Sequence, residues 1–321
     1  MKIFITRKIP EEGFELLRKE HKIEVNPHDR VLTKKEIIDG LRGKDGLICL
    51  LTDQIDAEII NSEPKLKMIA NYAVGFNNID IKAANARKIP VSNTPDVLTN
   101  ATAEMAWALL FSASRRIVES DKFSREGKFK GWGPMLMLGQ DISGKTLGLV
   151  GAGRIGTAFA LKSKGFDMKV LYYNRSNNDT LENELKAKKV DLDTLLKESD
   201  FVSIHVPLVP ETHHLISEKQ LKMMKKTAIL INTSRGPVID EKALIKALNE
   251  KWIFGAGLDV YENEPIIPVE LKKLDNVILM PHSASATFSS RSGMAIMAAK
   301  NMIAGLKGER PPNCVNPELF D

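Results

Sequence analysis

Cysteine occurs only twice in this chain, at Cys49 and Cys314, with no CxxC pair. Two thiols so far apart build neither a disulfide framework nor a zinc site, which fits a reducing compartment. Long uncharged apolar runs are missing too: none approaches the roughly 18 residues that a membrane helix needs. The start, Met1-Lys2-Ile3-Phe4-Ile5-Thr6, meets charge at once and has no signal-peptide apolar region. An excess of one charge sign is also slight. The 46 basic groups face 41 acidic ones, interspersed, for a formal +5. That is too mild for a nucleic-acid partner, although it helps attract a small anion. Residue-level repeats and low-complexity tracts are absent. These absences leave a soluble, cytoplasmic protein without a metal site as the expectation.

What is present is an alternation of strand and helix patterns over 321 residues, long enough for about two domains. Strands are expected at Lys2–Thr6, Gly46–Leu51 and Lys67–Tyr72, with helices near Glu11–Lys19, Lys34–Leu41 and Ala57–Asn61 between them. A second series runs through strands at Thr146–Val150, Met168–Tyr173, Phe201–Val206, Ala228–Asn232, Gly255–Val260 and Val277–Met280. Helices are expected at Ile155–Ser163, Ser217–Met224 and Glu241–Asn249. Such repetition means parallel pairing with right-handed crossovers, and near-continuous apolar strands mean helices on both sheet faces. One apolar helix, about Thr102–Ser120, links the two series, and a last one, about Ser289–Leu306, has no strand after it. The fold class is α/β, with two doubly wound parallel-sheet domains.

The loop Gly151-Ala152-Gly153-Arg154-Ile155-Gly156 joins a strand to a helix. At this glycine content three fixed positions match by accident in about 0.09 windows per chain, so context decides. Here the strand Leu147–Val150 precedes it and a helical run follows. Gly151 permits a tight turn, Gly153 lets the backbone approach a pyrophosphate, and Gly156 allows close helix–strand packing, the anion lying at the helix N-terminus. A carboxylate at the end of the next strand would select NAD, but Asn174, Arg175 and Ser176 stand there. A carboxylate would repel a 2′-phosphate, whereas an Arg fork and a hydroxyl bind one. NADP(H) is therefore the expected cofactor, with NAD as the alternative.

Three later segments carry polar residues at strand ends: Asn232-Thr233-Ser234-Arg235-Gly236, Asp259 to Pro265, and Pro281 to Thr287. Each lies at the carboxyl edge of its sheet, where open α/β folds bind ligands. Reduction of a keto acid needs a carboxylate anchor, an electrophile and a proton donor. Arg235 suits the first two roles and His282 the third, with Glu264 as the carboxylate that favours the protonated ring.

With these segments in view, the chain resembles the D-isomer-specific 2-hydroxyacid dehydrogenases, and most the glyoxylate/hydroxypyruvate reductase branch. The resemblance covers nearly the whole chain, through Asn71-Tyr72-Ala73-Val74-Gly75, Asn93-Thr94-Pro95, Thr102-Ala103-Glu104, Gly151–Gly156, His205-Val206-Pro207-Leu208 and the three segments above. It implies that Arg235, Glu264 and His282 form the catalytic trio. By the same carry-over Thr102 contacts the cofactor, Asp259 holds its carboxamide, and Val206, Pro207 and Thr212 line its adenosine side. Thr233 and Ser234 would approach the nicotinamide ribose, while Leu51, Val74 and Gly75 would meet the substrate. The last two would act through backbone N–H groups, which a Val-Gly turn after a strand can aim at a carboxylate.

The resemblance also implies a flavodoxin-like substrate domain of residues 1–98 plus 288–321 and a Rossmann cofactor domain of residues 99–287. It implies a cleft between them and a homodimer, with Trp132 reaching the partner's cleft. Ser283 and Ala284 replace the family's usual Ile-Gly, so Ala284 adds a methyl beside the nicotinamide, and Phe76-Asn77-Asn78 lacks a usual acidic residue. The expected reaction is reduction of glyoxylate or hydroxypyruvate to glycolate or D-glycerate. The rivals are 3-phosphoglycerate, formate or phosphite oxidation, a dinucleotide-sensing corepressor and an adenosylmethionine-dependent methyltransferase.

Overall fold

The computed structural model describes residues 1–321. In chain order it has strands β1 (Lys2–Ile5), β2 (Lys22–Val25), β3 (Gly46–Leu50), β4 (Met68–Tyr72), β5 (Val91–Ser92), β6 (Thr146–Val150), β7 (Lys169–Tyr173), β8 (Lys188–Lys189), β9 (Phe201–Ile204), β10 (Ile229–Asn232), β11 (Gly255–Leu258) and β12 (Val277–Leu279). The helices of the first stretch are α1 (Glu11–Arg18), α2 (Lys34–Leu41), α3 (Ala57–Ser62) and α4 (Ile81–Ala86). Then follow α5 (Thr99–Ser114), α6 (Ile117–Arg125), α7 (Arg154–Leu161), α8 (Asp179–Leu185), α9 (Leu192–Glu198), α10 (Glu218–Met223), α11 (Glu241–Asn249), α12 (Val269–Lys272) and α13 (Phe288–Leu306). No helix is long and apolar enough to cross a membrane.

The chain divides into two compact units, one of Met1–Leu98 with Ala286–Asp321 and one of Thr99–Ser285. In the first, five parallel strands follow the order β2-β1-β3-β4-β5, the flavodoxin-like winding. Every residue of β4 is buried, as is β3 up to its last residue, because α1 and α13 pack on one face and α2, α3 and α4 supply the core of the other. This accounts for the last helix, which returns to the first sheet. The Tyr72 hydroxyl donates to the carbonyl of Arg291 at 2.7 Å, fixing α13 on β4.

The second unit holds a seven-stranded parallel sheet, order β12-β11-β10-β9-β6-β7-β8, in which the order of strand addition reverses between β6 and β9. At that switch point β6 and β9 pair directly, so the loops leaving their carboxyl ends diverge and leave room for a ligand. The apolar α5 packs against α7, β10 and β11, and its Trp107 lies 5.0 Å from the Phe159 ring of α7. The expected single helix over Thr102–Ser120 is in fact two. Gln140 N–H takes the Ser114 carbonyl at 2.8 Å, and Arg116 turns into the left-handed region at φ 52° before α6 begins. A docked loop thus ends the helix by claiming a carbonyl that a continuing turn would have used. Strands β2, β5 and β8 and helices α4, α8, α9 and α12 were not anticipated. They are short, and their ends are fixed by side chains such as Asp80, Asn178 and Asp191, which accept from the first-turn amides of α4, α8 and α9.

Candidate active site

The dinucleotide loop is held by contacts that leave little freedom. Gly151 has φ +101°, and a Cβ there would lie 2.8 Å from the backbone of His205. A Cβ on Gly156 would lie 2.3 Å from the Gly151 carbonyl oxygen, so only glycine lets α7 start this close to β6. Around a Cβ on Gly153, by contrast, there is nothing within 4 Å. Two positions are glycine because protein fills the space, and one leaves its backbone open to a ligand. Arg154 is the first residue of α7 and exposed, and Ile155 is half-buried.

Asn174 and Asn178 brace the loop from the next strand. Asn174 accepts from the Ala152 amide at 3.4 Å and donates to Ser176, while Asn178 donates to the Ala152 carbonyl and the Thr157 hydroxyl, both at 2.8 Å. Asn178 also caps α8. Sequence reading missed it, although an Asx residue before a helical run is a capping signal. Arg175 and Ser176 are exposed at the loop's rim. Across the switch point, Val206 and Pro207 follow β9, and the Thr212 hydroxyl donates to the Pro207 carbonyl at 2.6 Å, closing that loop on itself. Thr102 is buried in α5.

The second group of residues sits beyond β10, β11 and β12. Asn232 organises the first segment: its side chain accepts from the amide and hydroxyl of Ser234 and donates to the Arg235 carbonyl. Arg235 Nη1 donates to the Ser234 carbonyl at 2.7 Å. Gly236 is obligatory next door, since a Cβ would lie 1.9 Å from the Tyr261 carbonyl. The Thr233 hydroxyl is buried without a hydrogen-bond partner, an orphan that a ligand hydroxyl would satisfy. Together with the open Gly153 backbone it makes this face fit a dinucleotide.

His282 lies in the left-handed region at φ 53°, which a non-glycine residue adopts only when its surroundings insist. Asp259 supplies the insistence. Its carbonyl accepts the His282 amide at 2.9 Å, and its fully buried carboxylate accepts the amides of Ser283 and Ala284, each at 2.7 Å. Burial raises the Asp259 pKa, and the two amide bonds oppose that rise. This anchoring was not read from the sequence, where Asp259 figured only as a cofactor contact. The Ala284 methyl is buried within the same turn.

His282 Nδ1 and Glu264 Oε2 are 2.7 Å apart, and the side chains keep 24% and 29% of their exposure, so the pair opens on one side. Burial pushes the Glu264 pKa up, but the His282 bond and charge, the Tyr261 amide and the Arg235 charge outweigh it and hold the carboxyl below its usual range. An ionised Glu264 has only acceptor oxygens, so Nδ1 carries a proton whatever the ring's charge, and Nε2 is the atom that gains and loses one. Burial draws the Arg235 pKa down while the Glu264 charge opposes it. A cation, an anion and a titratable ring therefore gather on one sheet edge.

Residues 107–284 match the family model of the D-isomer specific 2-hydroxyacid dehydrogenase, NAD binding domain. The chain belongs to the D-isomer-specific 2-hydroxyacid dehydrogenases. It is 54% identical to a glyoxylate reductase of Thermococcus litoralis, over 99% of this chain and 98% of that one. Among solved structures it resembles a protein of Thermus thermophilus (TM-score 0.93, 43% identity, 98% of this chain and 100% of that one). It also resembles an NADPH-dependent glyoxylate/hydroxypyruvate reductase of Sinorhizobium meliloti in complex with NADP and malonate (TM-score 0.86, 30% identity, 98% and 96% covered). The matched NAD-binding region lies wholly within the unit of Thr99–Ser285.

In this dehydrogenase the other expected site residues belong to the first unit. Leu51 follows β3, and Val74 and Gly75 follow β4. The Asn93 side chain donates to the Val74 carbonyl at 2.7 Å, and Asn71 donates to the Gly75 carbonyl at 2.9 Å. These bonds fix the peptide planes of the turn, and none of the chain's own carbonyls takes the Val74 or Gly75 amide.

Proposed function

We propose that this dehydrogenase reduces glyoxylate to glycolate, accepts hydroxypyruvate as a second substrate, and prefers NADPH. The observation that carries the reading is the 2.7 Å contact of His282 with an ionised Glu264, on the sheet edge that also bears Arg235. When bound, the nicotinamide supplies the hydride. Arg235 binds the keto acid's carboxylate and polarises the adjacent carbonyl through its charge, and its own burial strengthens both effects. His282 gives the proton on Nε2 to the oxygen that becomes the alcohol and keeps its Nδ1 proton, donated in a hydrogen bond to Glu264. Reversed, Nε2 accepts the alcohol proton.

Asp259 Oδ1 accepts from both the amide and the hydroxyl of Ser283, but Oδ2 accepts only the Ala284 amide and keeps a lone pair that can take a carboxamide N–H. Thr233 and Ser234 lie toward the cofactor's ribose, and the amides of Val74 and Gly75, with Leu51, belong to the substrate set. NADPH preference rests on the absence of any carboxylate from Asn174 to Asn177 and on the exposed Arg175. Two copies of the chain associate through the second unit.

The test is initial-rate measurement with glyoxylate, hydroxypyruvate, pyruvate and 3-phosphohydroxypyruvate, each with NADPH and NADH. The highest kcat/KM is expected for glyoxylate with NADPH. A higher value for a larger keto acid would overturn the substrate, and a higher value with NADH would overturn the cofactor preference.

A further inference from the structure

We propose that Lys189 is a determinant of cofactor choice, a second cation that works beside Arg175 on the 2′-phosphate of an NADP-type ligand. The inference rests on the NADP(H) reading above and assigns part of that selectivity to a residue on another strand. β8 pairs with β7 in parallel, Tyr172 standing opposite Lys189, so Lys189 emerges beside the strand end from which the Asn174–Asn177 loop departs. Its Nζ donates to the Arg175 carbonyl and to the Asn177 side-chain oxygen, both at 3.1 Å.

Both of those partners are neutral. Lys189 forms no ion pair with any carboxylate, and Asp191, two residues on, is engaged in capping α9 through the amide and hydroxyl of Thr194. An ammonium has three donors, so one remains beyond the two bonds to the loop. Arg175 likewise forms no ion pair and lies exposed on the same loop. The turn that would carry a carboxylate in an NAD-selective site thus folds around one cation and displays another.

A 2′-phosphate brings roughly −1.5 to −2 charges to this place, whereas the 2′-hydroxyl of NADH brings none. The Lys189 charge therefore favours one ligand and is nearly indifferent to the other. A merely structural lysine would behave differently, because loss of the loop's shape weakens both ligands alike.

The experiment uses two fragments that need no turnover, 2′,5′-ADP and 5′-ADP. Their binding to the wild-type chain, Lys189→Met and Lys189→Arg is measured by calorimetry at two ionic strengths. Kinetic runs with NADPH and NADH accompany it. Lys189→Met is expected to weaken 2′,5′-ADP about tenfold, an effect that shrinks as salt screens the charges. Binding of 5′-ADP should stay unchanged, which also reports that the variant is folded, and Lys189→Arg should recover most of the loss. In turnover, only the kcat/KM for NADPH should fall. Equal weakening of both fragments would reduce Lys189 to a loop prop, and no change in either would remove it from recognition. If the wild-type chain itself bound 5′-ADP more tightly than 2′,5′-ADP, the NADP(H) reading would fail, a result visible before any variant is made.

Discussion

His282 is the residue on which proton transfer turns, and its backbone conformation shows how the fold serves it. The turn at this left-handed histidine is held by Asp259, which accepts the amides of His282, Ser283 and Ala284, and the ring is held by Glu264. Replacing it by alanine removes the proton donor and should lower kcat at least about 100-fold, with smaller change in cofactor affinity. A near-normal rate would contradict the assignment. Glu264→Gln asks a finer question. The carboxylate accepts the Nδ1 proton at 2.7 Å and so aims Nε2, whereas an amide can present a donor to the same nitrogen. The variant's kcat for reduction should therefore fall with less change in the KM for NADPH, and an unchanged kcat would count against the positioning role.

Glu264 is held below the usual carboxylate range, so the pair stays intact through that range and is lost only as pH falls through the lowered value. Reduction in the wild-type chain should therefore show no acid limb near the ordinary carboxylate pKa, and one found there would count against the pair. Arg235, Glu264 and His282 were visible in the sequence because each lies on a polar segment that follows a strand. The Asp259 anchor was not, since nothing in the residue string tells a carboxylate that faces its own backbone from one that faces a ligand.

Among the elements, the β6–α7 junction shows how unlike its glycines are. Gly153→Ala places a methyl in open space at φ −79°, an angle alanine tolerates, so it should lower folding stability by no more than about 1 kcal/mol, the amount by which alanine is the poorer N-cap. The same methyl should obstruct a pyrophosphate and weaken NADPH binding by roughly tenfold or more, about 1.4 kcal/mol. Gly156→Ala should do the reverse. Its methyl meets the Gly151 carbonyl oxygen at 2.3 Å, so the helix start must shift, at a cost of about 1–3 kcal/mol. Denaturant unfolding and calorimetry with NADPH separate the two, and normal NADPH binding by Gly153→Ala would refute the assigned roles. The glycine spacing announced this junction, but which glycine serves packing depends on the approach of His205 and of the loop's own carbonyl. Long apolar strands such as β4 and β10 were equally legible. The α5–α6 break was not, because the Gln140 amide that ends α5 comes from a loop 26 residues away.

For the whole molecule, the question is what covers the second unit's exposed apolar stretch. Ile117, Val118, Phe129, Trp132, Met135 and Leu138 are 48 to 84% exposed, all within one segment after α5. The segment folds back on itself, since the Arg116 side chain donates to the Leu138 carbonyl at 3.3 Å and ties it to the start of α6. Apolar side chains scattered singly over a surface are ordinary, but six exposed within one segment mark a candidate docking face. The proposed homodimer would bury this face on both copies at once through a two-fold pairing. Analytical ultracentrifugation should find the wild-type chain dimeric at micromolar concentration, and Trp132→Ser combined with Met135→Ser should shift it toward monomer. If Trp132 reaches the partner's substrate, the double variant raises KM for the keto acid while the NADPH KM stays put. If it only joins the copies, both constants are kept as long as the dimer persists. A wild-type chain that sediments as a monomer would leave the stretch without this partner.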